Sequence, residues 1–274
     1  MLRLHASAAF VLTVALVAAC GDSTDPDEVP YGETTFVVLL NPAINDANEV
    51  DVAAPGSART GVGVAIEGGS SATTSADGVA VLSPVAAGSR VLAFDGPDDG
   101  EVALSIVAGD LREVAVALDP AGAGIMADIR YEFGAEVLEI SPTMTLSEVN
   151  AALAASNSVV FFAAGTYTGD IVFSGSNVTL FGEGHTGGRV VIDGNVTVSG
   201  SQNRIRGARI TGDLSVPASN FGMSFTRVDG TTDVSGSSSV MLANTFCGTV
   251  TVSGSGATLL GNAGLAPITA PAGC

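Results

Sequence analysis

Four charged residues recur at matched places in the C-terminal half of this 274-residue chain. Asp193 and Asp229 lie 36 residues apart, and Arg209 and Arg227 lie 18 apart. Two carboxyls at a set separation are what glycoside hydrolysis requires, which makes these four the candidate catalytic residues. The same residues can equally form a solvated ladder in which Asp and Arg relieve each other's like-charge stacking. Other chemistry is sparse. Histidine occurs only at His5 and His185, and His185, in EGHTGGR, has Glu183 nearby but no further partner at the spacing of a triad or a zinc site. It reads as a turn residue. The acids Asp95, Asp98, Asp99 and Glu101 could offer oxygens to calcium, but the spacing of a helix-loop-helix calcium loop is missing, so they read as a solvated hairpin tip. No metal site and no cofactor is expected. Three cysteines remain, Cys20, Cys247 and Cys274.

The period of 18 belongs to more than the charges. Residues 194–265 divide into GNVTVSGSQNRIRGARIT, GDLSVPASNFGMSFTRVD, GTTDVSGSSSVMLANTFC and GTVTVSGSGATLLGNAGL. Gly194, Gly212, Gly230 and Gly248 open the blocks. Apolar columns run through Val198, Val216, Val234 and Val252, through Ile205, Met223, Met241 and Leu259, and through Ile210, Val228 and Phe246. A fixed period with short extended runs between Ser/Gly corners is the signature of a chain coiling into stacked parallel strands, and one coil has too little core to stand alone. The inward spacing from Val198 to Ile205 to Ile210 to Val216 is uneven, which excludes the left-handed hexapeptide coil. GSGSS and SGSGA carry no Asp, which excludes the calcium-binding nonapeptide coil. A right-handed parallel β-helix is left. In it, Arg209 stacks on Arg227, and Asp193, Thr211, Asp229 and Cys247 share the neighbouring outward column.

The segment before the blocks supplies a cap. In SPTMTLSEVNAALAAS, Thr145 and Glu148 make a capping box, and Leu146, Val149 and Leu153 fall on one helical face. The next stretch is NSVVFFAAGTYTGDIVFSGSNVTLFGEG. A short helix, an apolar strand, Ala-Gly-Thr-Tyr and a Val-Thr-Leu-x-Gly run together resemble the start of pectin-lyase-like right-handed β-helices. GDIVFSGSNVTLFGEGHT fits the same frame, with Glu183 to Arg189 as an inserted corner loop, so the resemblance covers residues 141–265. It implies that the helix plugs the open end of the coil, where strand edges would otherwise invite aggregation. It also implies that enzymes of this kind act on polysaccharides with carboxylates, calcium and basic residues on an outer face, where Asp193, Arg209, Arg227 and Asp229 would stand.

Residues 34–119 alternate apolar and polar in short runs punctuated by Gly, Asp and Pro, the pattern of an antiparallel sandwich. GVGVAIEGGSSATTSADGVAVLSPVAAGSRVLAF resembles the transthyretin-like regulatory modules of carboxypeptidases, which serve as spacers or binding accessories. Residues 120–140 read as a linker and joining strand, and the sandwich is expected to survive in a chain ending near Ala121. The expected class is therefore all-β: an N-terminal antiparallel sandwich, then a helix-capped right-handed β-helix with 18-residue coils over 141–274.

Residues 1–20 have Arg3, an apolar run from Ala8 to Ala19 and small residues before Cys20, an export signal too short to span a bilayer. Val17-Ala18-Ala19-Cys20 resembles the bacterial lipobox, which implies lipidation of Cys20 and a membrane anchor. Residues 21–33, with five acids and two prolines, suit a solvated tether. Gly21 follows the cysteine and Asp22 comes one later, so an outer-membrane destination, facing periplasm or surface, is expected. All ten basic residues are Arg, and the net charge is −18. Residues 21–139 carry 21 acids against 4 Arg, and residues 140–274 carry 7 against 5. Such a field repels nucleic acid. An envelope protein or a polysaccharide is the expected partner.

After lipidation of Cys20, Cys247 and Cys274 are the two thiols left in an exported chain, and a disulfide between them is expected. Continued coiling would hold them about 10 Å apart along the axis, beyond the reach of a bridge. The tail APITAPAGC must then leave the coil and fold back across its last turn. With few coils, short corners and no Trp, the chain reads as a non-catalytic binding or structural module. A small polysaccharide lyase or glycoside hydrolase is the alternative.

Overall fold

The computed structural model describes residues 35–40, 60–76, 78–95, 100–119, 122–132, 136–182, 189–265, 270 and 272–274. The first eight strands are β1 (Thr35–Leu40), β2 (Gly63–Ile66), β3 (Ser71–Thr73), β4 (Val79–Leu82), β5 (Gly88–Asp95), β6 (Gly100–Ile106), β7 (Leu111–Asp119) and β8 (Gly122–Tyr131). They form two four-stranded sheets, in the orders β4-β1-β7-β8 and β3-β2-β5-β6. Pairing is antiparallel except that β1 runs parallel to β7. Alternation directs Val64, Ile66, Leu92, Phe94, Val102 and Leu104 of one sheet against Leu82, Val114, Val116 and Leu118 of the other, which is the sandwich core. Residues 120–140, expected as a linker and joining strand, hold one strand for each unit. β8 pairs with β7 from Leu111↔Tyr131 to Asp119↔Gly122, so a chain cut near Ala121 loses an edge of the sheet, and the sandwich runs to Tyr131.

The second unit is a parallel β-solenoid. It begins with β9 (Glu136–Ile140) and α1 (Leu146–Ala152). The coils follow as β10 (Ser158–Phe162), β11 (Gly165–Thr168) and β12 (Ile171–Phe173), then β13 (Val178–Gly182), β14 (Val190–Asp193) and β15 (Val196–Val198). Next come β16 (Arg204–Arg206), β17 (Ala208–Ile210) and β18 (Leu214–Val216), then β19 (Gly222–Ser224), β20 (Arg227–Val228) and β21 (Thr232–Val234). The last are β22 (Val240–Leu242), β23 (Thr245–Phe246), β24 (Val250–Val252) and β25 (Thr258–Leu260). Every third strand stacks, giving one seven-stranded sheet from β9 to β25 and two five-stranded sheets.

Register explains the sequence pattern. Ile205 pairs with Met223 and Met223 with Met241, all wholly buried, and Ile192, Ile210, Val228 and Phe246 stack likewise. Phe181 pairs with Arg206 while Val190 pairs with Ala208, which places the extra residues of that coil at the expected corner, 183–189. The glycines that open each block do so because the coils approach there. A Cβ at Gly230 would meet the Gly212 carbonyl oxygen at 2.4 Å, and one at Gly248 would meet that of Gly230 at 2.2 Å.

The cap forms as a capping box: the Glu148 amide donates to Thr145 Oγ1 at 3.3 Å, and the Thr145 amide donates to Glu148 Oε2 at 2.8 Å. Val149 and Leu153 enter the solenoid core, whereas Leu146, expected on the same face, stays 38% exposed. Asn150 does what a further strand would do. Its amide accepts from Val172 N at 2.8 Å and donates to the Asp170 carbonyl at 3.2 Å, closing the free edge of β12.

Interior polar groups are mostly satisfied. The Asn262 carbonyl oxygen accepts from both the Asn244 amide nitrogen and its backbone N–H at 2.9 Å. Thr232 differs: it stands in the inward column between Leu214 and Val250, is 1% exposed, and its hydroxyl has no partner. Thr232→Val is expected to stabilise the fold by about 1 kcal/mol, because it removes a desolvated hydroxyl at nearly constant volume. Urea denaturation checks this, and a loss of stability would mean that the hydroxyl is hydrogen-bonded.

A third core joins the units. Val79, Leu111, Ala115, Ala127 and Ile129, on the outer face of the β4-β1-β7-β8 sheet, pack on Val159, Phe181, Phe225, Leu242 and Leu260, on the outer face of the seven-stranded sheet. Gly222 leaves room for the approach, since a Cβ there would lie 3.2 Å from Ile129. Inside this apolar contact lies an ion pair. Arg206 Nε donates to Glu113 Oε1 at 2.7 Å, with the two side chains 1% and 0% exposed. Tyr131 donates its hydroxyl to Glu113 Oε2 at 3.1 Å and lies 2.5 Å from Ser224 Oγ. The Arg206 guanidinium sits between the rings of Phe181 and Phe225, at 5.1 and 5.2 Å from their centroids. Phe225 holds a φ of 46°, a costly region for an aromatic residue, where this contact fixes it.

Candidate functional site

The outward columns of β17 and β20 bring three of the four candidate residues together. Asp229 Oδ2 accepts from Arg209 Nε at 2.8 Å and Nη2 at 2.7 Å, and its Oδ1 accepts from Arg227 Nε at 2.6 Å. Burial pushes the Asp229 carboxyl up, but the hydrogen bonds and charges of Arg227 and Arg209 outweigh it and hold the group below the usual range. Asp193 is not drawn in. Thr211 stands between it and Asp229 in the column and donates its hydroxyl to Asp193 Oδ1 at 3.1 Å.

The C-terminal tail reaches the same face. Cys274 forms the expected disulfide with Cys247, their Cα atoms 5.0 Å apart. Arg227 Nη2 donates to the Gly273 carbonyl at 2.8 Å, which places the last residues of the chain beside β20. Arg227 thus lies between a carboxylate and a carbonyl.

Chemically this arrangement is a closed charge network. A general acid in glycoside cleavage needs a raised pKa, and Asp229 is held low by two guanidiniums. Among the described residues no three His, Cys, Asp or Glu side chains converge to hold a metal. Asp95 ends β5 and Glu101 stands in β6, both exposed. Cys20, Glu183, His185, Asp98 and Asp99 lie outside the described residues.

Two features escaped the sequence reading. The first is the buried Glu113–Arg206–Tyr131 group. Its signal was an outward position of the repeat filled by Phe181, Arg206, Ser224, Leu242 and Leu260, largely apolar where solvent was expected. The second is a groove of about 420 Å³ at the seam between sandwich and solenoid, lined by Arg130 and Glu132 on one side and Asn157, Asn177, Thr179 and Arg204 on the other. Nothing in one sequence brings Arg130 to Arg204. No family model matches the chain, and no curated protein or solved structure matches it either.

Proposed function

We propose that this is a cell-envelope protein anchored by lipid on Cys20, whose pectin-lyase-like right-handed β-helix and carboxypeptidase-regulatory-like sandwich form a non-catalytic binding or structural surface module. The observation that carries the reading is the state of Asp229. The carboxylate best placed for chemistry is engaged by two arginines in a network that the tail joins. Asp193, the other candidate carboxylate of that face, is exposed and separated from Asp229 by Thr211, which donates to it. The joined sandwich gives such a module a broad rigid body, and the acidic tether would hold it away from the membrane. A polysaccharide or another envelope protein is the partner this implies, with the outer membrane as the location.

The test is incubation of the purified lipidated protein, in detergent, with acidic and neutral polysaccharides. Binding without new reducing ends or unsaturated products is expected. Release of either product would replace the reading by that of a small polysaccharide lyase or glycoside hydrolase. The anchor has its own test. Cys20→Ser is expected to move the protein from the membrane to the soluble fraction, since the acyl-bearing thiol is gone. Unchanged membrane partitioning would remove the anchor from the reading.

A further inference from the structure

The seam groove, not the charged face of the solenoid, has the chemistry of a binding site. Its described lining side chains are all polar: two guanidiniums, one carboxylate, two amides and two hydroxyls. The two arginines are held differently. Arg130 is ion-paired to Asp110 and, at 3.5 Å, to Glu132, so its charge is spent. Arg204 is fixed by backbone alone: Nε donates to the Arg130 carbonyl at 2.9 Å, and Nη1 donates to that of Gln202 at 2.5 Å. Among the described residues no carboxylate pairs with it. Arg90 is likewise held by backbone carbonyls alone, those of Ala86 and Ala87, but of these two guanidiniums only that of Arg204 lines the groove.

The geometry leaves Arg204 half used. With Nε and one Nη1 hydrogen engaged, the remaining Nη1 and Nη2 hydrogens form the end-on fork that matches a carboxylate. Beside it, Asn157 and Asn177 stand at successive coils in left-handed conformation, with φ of 58° and 55°, which short amide side chains tolerate. Asn177 Nδ2 donates to Asn157 Oδ1 at 3.2 Å. That leaves the Asn157 amide as donor and the Asn177 oxygen as acceptor, so the pair can serve both roles of a ligand hydroxyl. Ser158 contributes little, since its hydroxyl donates to the Ala155 carbonyl at 2.6 Å.

We infer that the groove between β8 and the first coils binds a sugar carboxylate, with Arg204 taking the carboxylate end-on and the Asn157–Asn177 pair taking ring hydroxyls. This rests on the binding-module reading and gives it a site and a ligand class. The sugar acid comes either free or as one unit of an acidic polymer. Both present the same group to Arg204.

The test is calorimetric titration of the lipidated protein in detergent with glucuronate and galacturonate, with their short oligomers, and with glucose and galactose. The acids are expected to bind and the neutral sugars not to. A stronger response to oligomers identifies a polymer as the source, and an equal one identifies the free acid. Arg204→Gln is expected to weaken binding by about ten- to a hundredfold, the loss of a charge-assisted pair. Asn177→Asp, which leaves Arg204 in place and adds a negative charge beside it, is expected to weaken the acids likewise. Thermal melts of both variants confirm that the fold is kept. Equal binding of acid and neutral sugar, or wild-type affinity in both variants, overturns the site. If polysaccharides still bind those variants, the binding-module reading stands and only the groove falls. If the wild-type protein binds no saccharide, the site falls, and the module reading is left with a protein partner.

Discussion

Arg206→Ala is expected to destabilise the protein by about 3–5 kcal/mol, because it leaves the Glu113 carboxylate buried without its counter-charge. Both members of the pair are closed off by the joined sheets, and water cannot replace the lost guanidinium. Glu113→Ala should cost a similar amount, and the double variant less than the sum, the mark of a direct interaction. Replacing both by apolar residues, Glu113→Leu with Arg206→Met, is expected to restore most of the stability, since Phe181, Phe225 and Leu242 already surround the site. Urea unfolding of the four variants and the wild-type protein measures this. A cost below about 1 kcal/mol for Arg206→Ala would mean that the pair is solvated and the sheets are not joined as described. Burial also pushes the Tyr131 hydroxyl well above its usual pKa. A raised folded-state value means that full stability is present below the ordinary tyrosine value, about 10, and is lost as pH climbs beyond it. Tyr131→Phe should flatten that alkaline loss.

Met241→Asp is expected to unfold the solenoid. Met241 is wholly buried between Met223 and Leu259, with no cation among the residues of its column. A carboxylate there must be either protonated at a large cost or left charged in an apolar interior. Each coil is held by its two neighbours, so a failure in this coil deprives both of packing and hydrogen bonds. Met241→Leu, nearly equal in volume, should cost less than about 1.5 kcal/mol and separates the charge from the change of shape. Circular-dichroism melts and limited proteolysis read both variants. A Met241→Asp protein that melts cooperatively at the wild-type temperature would show that the column does not face inward.

The parts of the fold that repeat were legible, because identical demands recur at identical spacing. Val198, Ile205 and Ile210 each announce a column, and the glycine at each block start reports a close backbone approach. The disulfide followed from counting thiols, and the axial distance, which continued coiling would have made too long, required the tail to leave the coil. Contact between sandwich and solenoid was not legible, since it joins surfaces far apart in the chain through residues that look ordinary in isolation. Arg206 has the composition of a surface position, and only its burial against Phe181 and Phe225 marks it. Asp193 was grouped with Asp229 because the period aligns them. Thr211, which separates them, was visible in the same column, but its hydroxyl's choice of Asp193 depends on rotamers that the sequence does not disclose.

The joined face also settles a question of counting. Coils that look alike from within could thread one place too early or too late, as internal valines and isoleucines would still meet one another. The outward column tolerates no such shift, because Phe181, Arg206, Ser224 and Leu242 differ in turn, and only one threading sets Arg206 against Glu113 and Ser224 against Tyr131. A slip by one coil would press a serine onto the buried glutamate and leave the guanidinium unmatched. The sandwich precedes the coils in the chain and has a core of its own, so it presents a fixed face to them. It therefore serves as a ruler against which the coils that follow are numbered.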